Sequence, residues 1–122
     1  MRWDRRNFRS VKLYRDHFET FFSCQKQKVK DKIIWTLRLV EEIRIVPETY
    51  LKYLAGTDGL YEIRVQCGSD IFRIFCFFDE GNLIVLMNGF QKKSQKTPFE
   101  ELAKANKFKN DYYEEKKLGK RP

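Results

Sequence analysis

Apolar positions along the chain shift between two spacings, and each shift marks a change of element. Val11 and Leu13 alternate with Lys12 and Tyr14, which predicts a short strand over about residues 10–15. Asp16 stands at an N-cap position with Glu19 three residues on to close a capping box, and Phe18, Phe21 and Phe22 supply a short helix with a buried face. A longer helix is predicted from about Gln25 to Arg44. Its apolar residues Val29, Ile33, Leu37, Val40 and Ile43 keep steps of three and four, while Lys28, Lys32, Arg38 and Glu42 point elsewhere. Pro47 stops it. Residues 47–54 fit either a short helix or an extended segment, and Gly56-Thr57-Asp58-Gly59 is a turn.

From Leu60 the period becomes two. Tyr61, Ile63, Val65 and Cys67 alternate with Leu60, Glu62, Arg64 and Gln66, and Gly68-Ser69 fits a two-residue hairpin loop. Residues 70–79 are apolar on both faces, as in a central strand, with Arg73 the sole internal charge. Glu80-Gly81-Asn82 forms the next turn, and residues 82–90 the last strand. Thr97 as N-cap, Pro98 at the first helical position and Glu100 closing a capping box predict a final helix to about Glu115. Its stripe is Phe99, Leu102, Ala105, Phe108 and Tyr112, and residues 116–122 are expected as a frayed tail. The order is β-α-α-β-β-β-α in one domain over residues 1–122, an α+β fold.

Composition narrows the function. The 122 residues suit one modest core, rich in rings with 11 Phe and 6 Tyr. Nothing approaches the roughly 20 apolar residues that span a bilayer, and the basic start (Arg2, Arg5, Arg6) leads into no apolar leader segment. Net charge is +8, with six basic residues against one acidic in the first fifteen. Such a balance favours a polyanionic partner, with a merely basic soluble protein as the plain alternative. Cys24, Cys67 and Cys76 show no CxxC spacing and read as small core residues in a reducing compartment. With His17 the only histidine, no metal or other cofactor is expected.

Register turns the strands into a site. If Gly68-Ser69 is a two-residue loop, Cys67 pairs with Asp70 and Arg64 lies directly across from Arg73 on one sheet face. Like charges so placed repel, so the pair asks for an anion. Parity then sets Asn88 or Phe90 opposite Arg73. Phe72, Ile74, Cys76, Phe78, Val85 and Met87 fall on the other face, toward the helices. The arginine face runs on into Gln91-Lys92-Lys93-Ser94-Gln95-Lys96. Arginine forks bind phosphate oxygens and the charge that builds on a phosphorane, and lysines bind phosphate or move protons. The N–H groups at the final helix's start add anion donors, and Phe90 offers a ring for base stacking. Plainer readings stand beside these. Glu62 pairs with an arginine as a structural ion pair, the lysine run is a solvated loop, Phe90 is a rim or core aromatic, and His17 is a surface residue.

The arrangement resembles the RelE/ParE toxin superfamily, in its HigB-like branch often found near phage genes. The resemblance spans about Val11 to Tyr113. It rests on residues 56–65, on Phe72-Arg73-Ile74-Phe75, and above all on Gly89-Phe90-Gln91-Lys92-Lys93 running into Lys96-Thr97-Pro98. It implies a helical hairpin packed on a small antiparallel sheet with a C-terminal helix. It also implies a cytoplasmic toxin neutralised by a helix-turn-helix antitoxin, which cuts messenger RNA on the ribosome by attack of a 2′-OH on the adjacent phosphate. Arg64, Arg73, Lys92 and Lys93 would then be catalytic, with Lys52, Asn88, Phe90, Gln91 and Lys96 binding RNA. Several members carry a tyrosine or histidine where this chain has Phe90, which cannot move a proton, so a lysine or Glu62 is left as general base. A ParE-like gyrase inhibitor and a non-catalytic RNA- or ribosome-binding module are the other readings.

Overall fold

The computed structural model describes residues 7–122, so the basic cluster of Arg2, Arg5 and Arg6 lies outside the described residues. The elements are β1 (Ser10–Leu13), α1 (His17–Ser23), α2 (Gln27–Glu42), β2 (Leu51–Tyr53), β3 (Leu60–Cys67), β4 (Asp70–Asp79), β5 (Leu83–Lys92) and α3 (Phe99–Lys117). The undecided segment before the Gly56 turn supplies β2, which pairs antiparallel with β3. One sheet results, in the order β1-β5-β4-β3-β2. It is antiparallel except at one edge, where β1 runs parallel to β5. No helix among the described residues is long and apolar enough to cross a membrane.

Both sheet faces are covered. The α1–α2 hairpin packs Phe18, Val29, Ile33, Leu37 and Val40 onto Ile63, Val65, Phe72, Ile74 and Cys76. On the opposite face α3 sets Ala105 and Tyr112 against Leu60, Phe75, Phe77, Val85 and Met87. Val85 and Met87 therefore do not share a face with Cys76, contrary to the parity count. The second hairpin closes on three residues, with Asp79 paired to Leu83, and Glu80 and Gly81 both at positive φ. That shifts the parity by one. Further along, β5 sets Met87 and Asn88 against Phe75 alone, a bulge that restores it. The two departures cancel by Arg73, which pairs with Phe90.

Helix ends differ from the capping expectations. Neither Asp16 nor any residue before α3 makes a side-chain cap, and the N-cap of α3 is Pro98 rather than Thr97. Phe99, expected in the buried stripe, is 83% exposed. At the other end α2 stops at Glu42, where the Arg9 guanidinium donates to the carbonyls of Val40, Ile43 and Arg44 at 3.1, 2.8 and 2.8 Å. A cation there satisfies carbonyls that the helix leaves unpaired. Lys116, expected in a frayed tail, belongs to α3 and holds Asp79 at 2.9 Å. Asp79 also accepts from Tyr112 Oη at 2.6 Å, which fixes α3 to the sheet beneath it. Of the three cysteines only Cys76 is buried; Cys67 is half-buried and Cys24 exposed, so Cys24 is not a core residue.

Candidate active site

The short first hairpin sets the site. Cys67 pairs with Asp70 across Gly68-Ser69, and every step of the ladder above follows, so Arg64 and Arg73 face each other directly. Two guanidinium groups so placed repel, and the chain answers with Glu62 on the same strand and face. Glu62 Oε2 lies 2.6 Å from Arg73 Nε and 3.9 Å from Arg64 Nε. The structural ion pair is therefore real, and it belongs mainly to Arg73. The Arg73 Nε–H is not aimed at the carboxylate, so the contact is a close charge pair outside hydrogen-bond geometry. Arg73 Nη1 donates to the Phe72 carbonyl at 3.1 Å. Burial pulls the Arg73 guanidinium below its ordinary pKa, Glu62 opposes that shift and Arg64 adds to it. Arg64 is more open and donates from Nη1 to the Glu48 carbonyl at 3.3 Å.

Both arginines line a cavity of about 420 Å³ together with Lys92, Lys93, Ile71, Ser94 and Gln95. Four cations meet there, and Glu62 is the only carboxylate paired with either arginine among the described residues. A hollow of this size has room for a phosphate group with part of what it carries, and its net charge suits an anion. The outer end of the sheet is open because α3 covers only the part built on Leu60, Phe75 and Phe77.

The other expected residues are placed unequally. Lys52 pairs across from Glu62 and is exposed, yet it does not line the cavity. Phe90 is half-buried, with its ring 5.2 Å from that of Phe75, so it is partly committed to the α3-side core. Asn88 shares the arginine face but does not line the cavity; it is buried, its Nδ2 donating to the Glu101 carbonyl and to Glu101 Oε1 at 3.0 Å each. The bulge sets both Met87 and Asn88 on the α3 side, opposite Phe75, and α3 takes up the Asn88 amide. Gln91 is exposed and donates to Asp70 Oδ1 at 3.4 Å. Lys96 is exposed in the loop outside the cavity, as is the start of α3. Glu62 is 5% exposed.

His17 is not a free surface residue. Its ring stacks on Phe108 of α3 at 3.6 Å, and burial lowers its pKa from the ordinary 6.5. It lies in the seam between α1 and α3 and does not line the arginine cavity. No group of three or more His, Cys, Asp or Glu is placed to hold a metal among the described residues. Ile71, Ser94 and Gln95 were missed as lining residues because nothing in their local pattern differs from an ordinary strand end and loop.

No curated protein matches the chain significantly. A family model does, the one described as phage-derived protein Gp49-like, over residues 20–110 of the 122. That stretch contains α2, all of β2 to β5 and the first part of α3, and with them every residue of the arginine cavity. The chain thus belongs to the phage-derived Gp49-like family, within the RelE/HigB-like toxin superfamily.

Proposed function

We propose that this protein is the toxin of a toxin–antitoxin pair and that it cleaves messenger RNA on the ribosome. One observation carries the reading: Arg64, Arg73, Lys92 and Lys93 converge on one open cavity large enough for a phosphate and its sugar. In the proposed reaction the ribose 2′-oxygen bonds to the adjacent phosphorus and the bond from phosphorus to the 5′-oxygen breaks. A base takes the 2′-OH proton, and an acid returns one to the departing 5′-oxygen. Arg64 and Arg73 neutralise the charge that builds on the phosphorane, which is most effective when donors are fixed beforehand. Glu62 does that fixing for Arg73 through the 2.6 Å contact. With its carboxylate so engaged and buried, Glu62 is a weaker candidate for the base than Lys92 or Lys93. Lys52, Lys96, Gln91 and the partly open Phe90 contribute to holding RNA around the cavity, whereas Asn88 supports α3. The partner that silences the cavity is a helix-turn-helix antitoxin, and the site of action is the cytoplasm.

A second reading has its own support. Arg73 is buried and already paired, and the only histidine is elsewhere, which suits a module that binds RNA or the ribosome without cutting. Induction in a bacterium, with RNA 5′ ends mapped by primer extension, separates the two. Cuts in translated messages that vanish with Arg73→Ala and with the exposed Lys93→Ala establish the nuclease. Growth arrest without cuts leaves the binder or a gyrase inhibitor, and these are told apart by the supercoiling state of a plasmid.

A further inference from the structure

The arginine cavity does not end at the arginines. Arg64, Ile71 and Arg73 also line a neighbouring cavity of about 600 Å³, whose far wall includes Lys32 of α2 and Tyr50. Lys32, Gln66 and Gly68 in turn line a third cavity of about 490 Å³, which reaches Lys28 and Trp35 on the outer side of α2. Shared walls make the three one groove. It runs from the Lys92-Lys93 loop past the arginine pair, around the tip of the β3–β4 hairpin and onto α2. Four residue steps lead from Arg64 to Gly68, about 13 Å of path against roughly 3.4 Å for one step between stacked bases.

The far end is built differently from the arginine end. Trp35 is 47% exposed, a large apolar ring at the edge of a basic groove. Lys32 Nζ lies over it at 4.2 Å, and the Tyr50 ring meets it edge-on at 5.8 Å. Neither Lys28 nor Lys32 is ion-paired among the described residues. The one carboxylate in this wall, Asp31, accepts from Gln27 Nε2 at 2.9 Å. At the hairpin tip, a Cβ on Gly68 would meet nothing within 4 Å, so the path is open. Flexible cations beside a flat exposed ring are what binds single-stranded nucleic acid, the cations following phosphates and the ring taking a base. A base arriving on Trp35 displaces Lys32, whose long side chain then reaches the phosphate beside it.

We propose that Trp35, with Lys28 and Lys32, forms a subsite for a nucleotide of single-stranded RNA that flanks the bond held at Arg64 and Arg73. The proposal rests on the RNA reading of the arginine cavity and adds the path by which the strand leaves it. The test is fluorescence anisotropy with two labelled 2′-O-methyl RNAs, which cannot be cleaved: a dinucleotide and a heptanucleotide. Trp35→Ala should weaken the heptanucleotide roughly tenfold, the loss expected for one stacked base, and leave the dinucleotide unchanged. Trp35→Phe should recover most of that loss, and Lys28→Gln with Lys32→Gln should flatten the salt dependence for the longer RNA alone. Unchanged heptanucleotide affinity in Trp35→Ala, alongside weakening by Lys93→Ala, overturns the subsite and leaves the arginine site standing. Failure of the unsubstituted protein to bind either RNA overturns both. Poly-glutamate that binds as tightly as the heptanucleotide, with the same dependence on Trp35, assigns the groove to an acidic protein segment and overturns it too.

Discussion

Breaking the Glu62–Arg73 pair should destabilise the fold before it says anything about catalysis. The two side chains are 7% and 9% exposed, and their charges are 2.6 Å apart. Removing one partner of a buried pair strands the other charge, which costs about 3–5 kcal/mol. In Glu62→Gln the stranded charge is Arg73, facing Arg64 across the ladder with nothing between them. Arg64 can swing toward solvent and relieve part of that repulsion, so the low end of the range applies, about 3 kcal/mol. For a domain of this length that is roughly a 10–15 °C fall in Tm. Replacing both residues with apolar ones, Glu62→Leu with Arg73→Met, strands no charge and should sit within about 1 kcal/mol of the parent. Urea unfolding of the parent, Glu62→Leu, Arg73→Met and the double variant closes the cycle; with about 3 kcal/mol lost in each single variant and no more than about 1 kcal/mol in the double, the expected coupling is about 5 kcal/mol. A coupling below roughly 0.5 kcal/mol would place the pair among screened surface pairs and refute the reasoning. The cycle also protects the functional test. Lost cleavage in Arg73→Ala is ambiguous if the protein is unfolded, whereas lost cleavage in the folded double variant is not.

Three further outcomes follow from the geometry. Gly89→Ala should destabilise by about 1–3 kcal/mol in thermal or urea unfolding, because a Cβ there would lie 2.7 Å from Phe21 Cγ; adding Phe21→Leu should restore part of the loss. Asp79 has its folded pKa held below the ordinary 3.8, burial pushing it up but the Tyr112 hydroxyl and Lys116 pulling it down further. A depressed carboxylate stabilises above its unfolded pKa and loses that contribution as pH falls through the folded one. Asp79→Asn should accordingly be less stable than the parent near neutrality, with the gap closing below about pH 4; a gap that persists at low pH means the charge is not what holds α3. Lys92→Gln with Lys93→Gln should leave Tm unchanged and reduce the slope of log affinity against log salt for single-stranded RNA by about 1.4, two phosphate contacts at ~0.7 each.

The arginine pairing was legible because a two-residue loop leaves no freedom. Once Gly68-Ser69 is the turn, Arg64 must meet Arg73, since a slip of one residue would send every apolar side chain of β3 to the wrong face. The second hairpin gave no such guarantee. Its three-residue loop and the bulge at Met87-Asn88 are single-residue events that hydropathy does not mark, because β5 is apolar on both faces there. Val85 and Met87 fall on the α3 side rather than with Cys76 for that reason, while Phe90 comes out opposite Arg73 only because the two departures cancel. β2 escaped a firm assignment because three residues carry too little period; it exists through its pairing with β3, including Arg64 N–H to the Tyr50 carbonyl at 2.8 Å.

The harder lesson concerns charge. A lone arginine in an apolar strand points to an external anion, yet Glu62 answers part of that demand from within. Strand diagonals hide such partners, since Glu62 pairs in register with Phe75 and reaches Arg73 only along the face. The internal carboxylate does not abolish the site. One carboxylate against Arg64, Arg73, Lys92 and Lys93 leaves the cavity cationic, and it lies against Arg73, the most buried of the four. A preorganised guanidinium binds developing charge better than a mobile one, because no reorganisation is needed when the charge appears. Glu62→Gln therefore separates the two roles in the fraction that stays folded at low temperature. If Glu62 positions Arg73, affinity for uncleavable RNA rises slightly with the added positive charge while cleavage falls. If Glu62 serves only the fold, cleavage per folded molecule is unchanged.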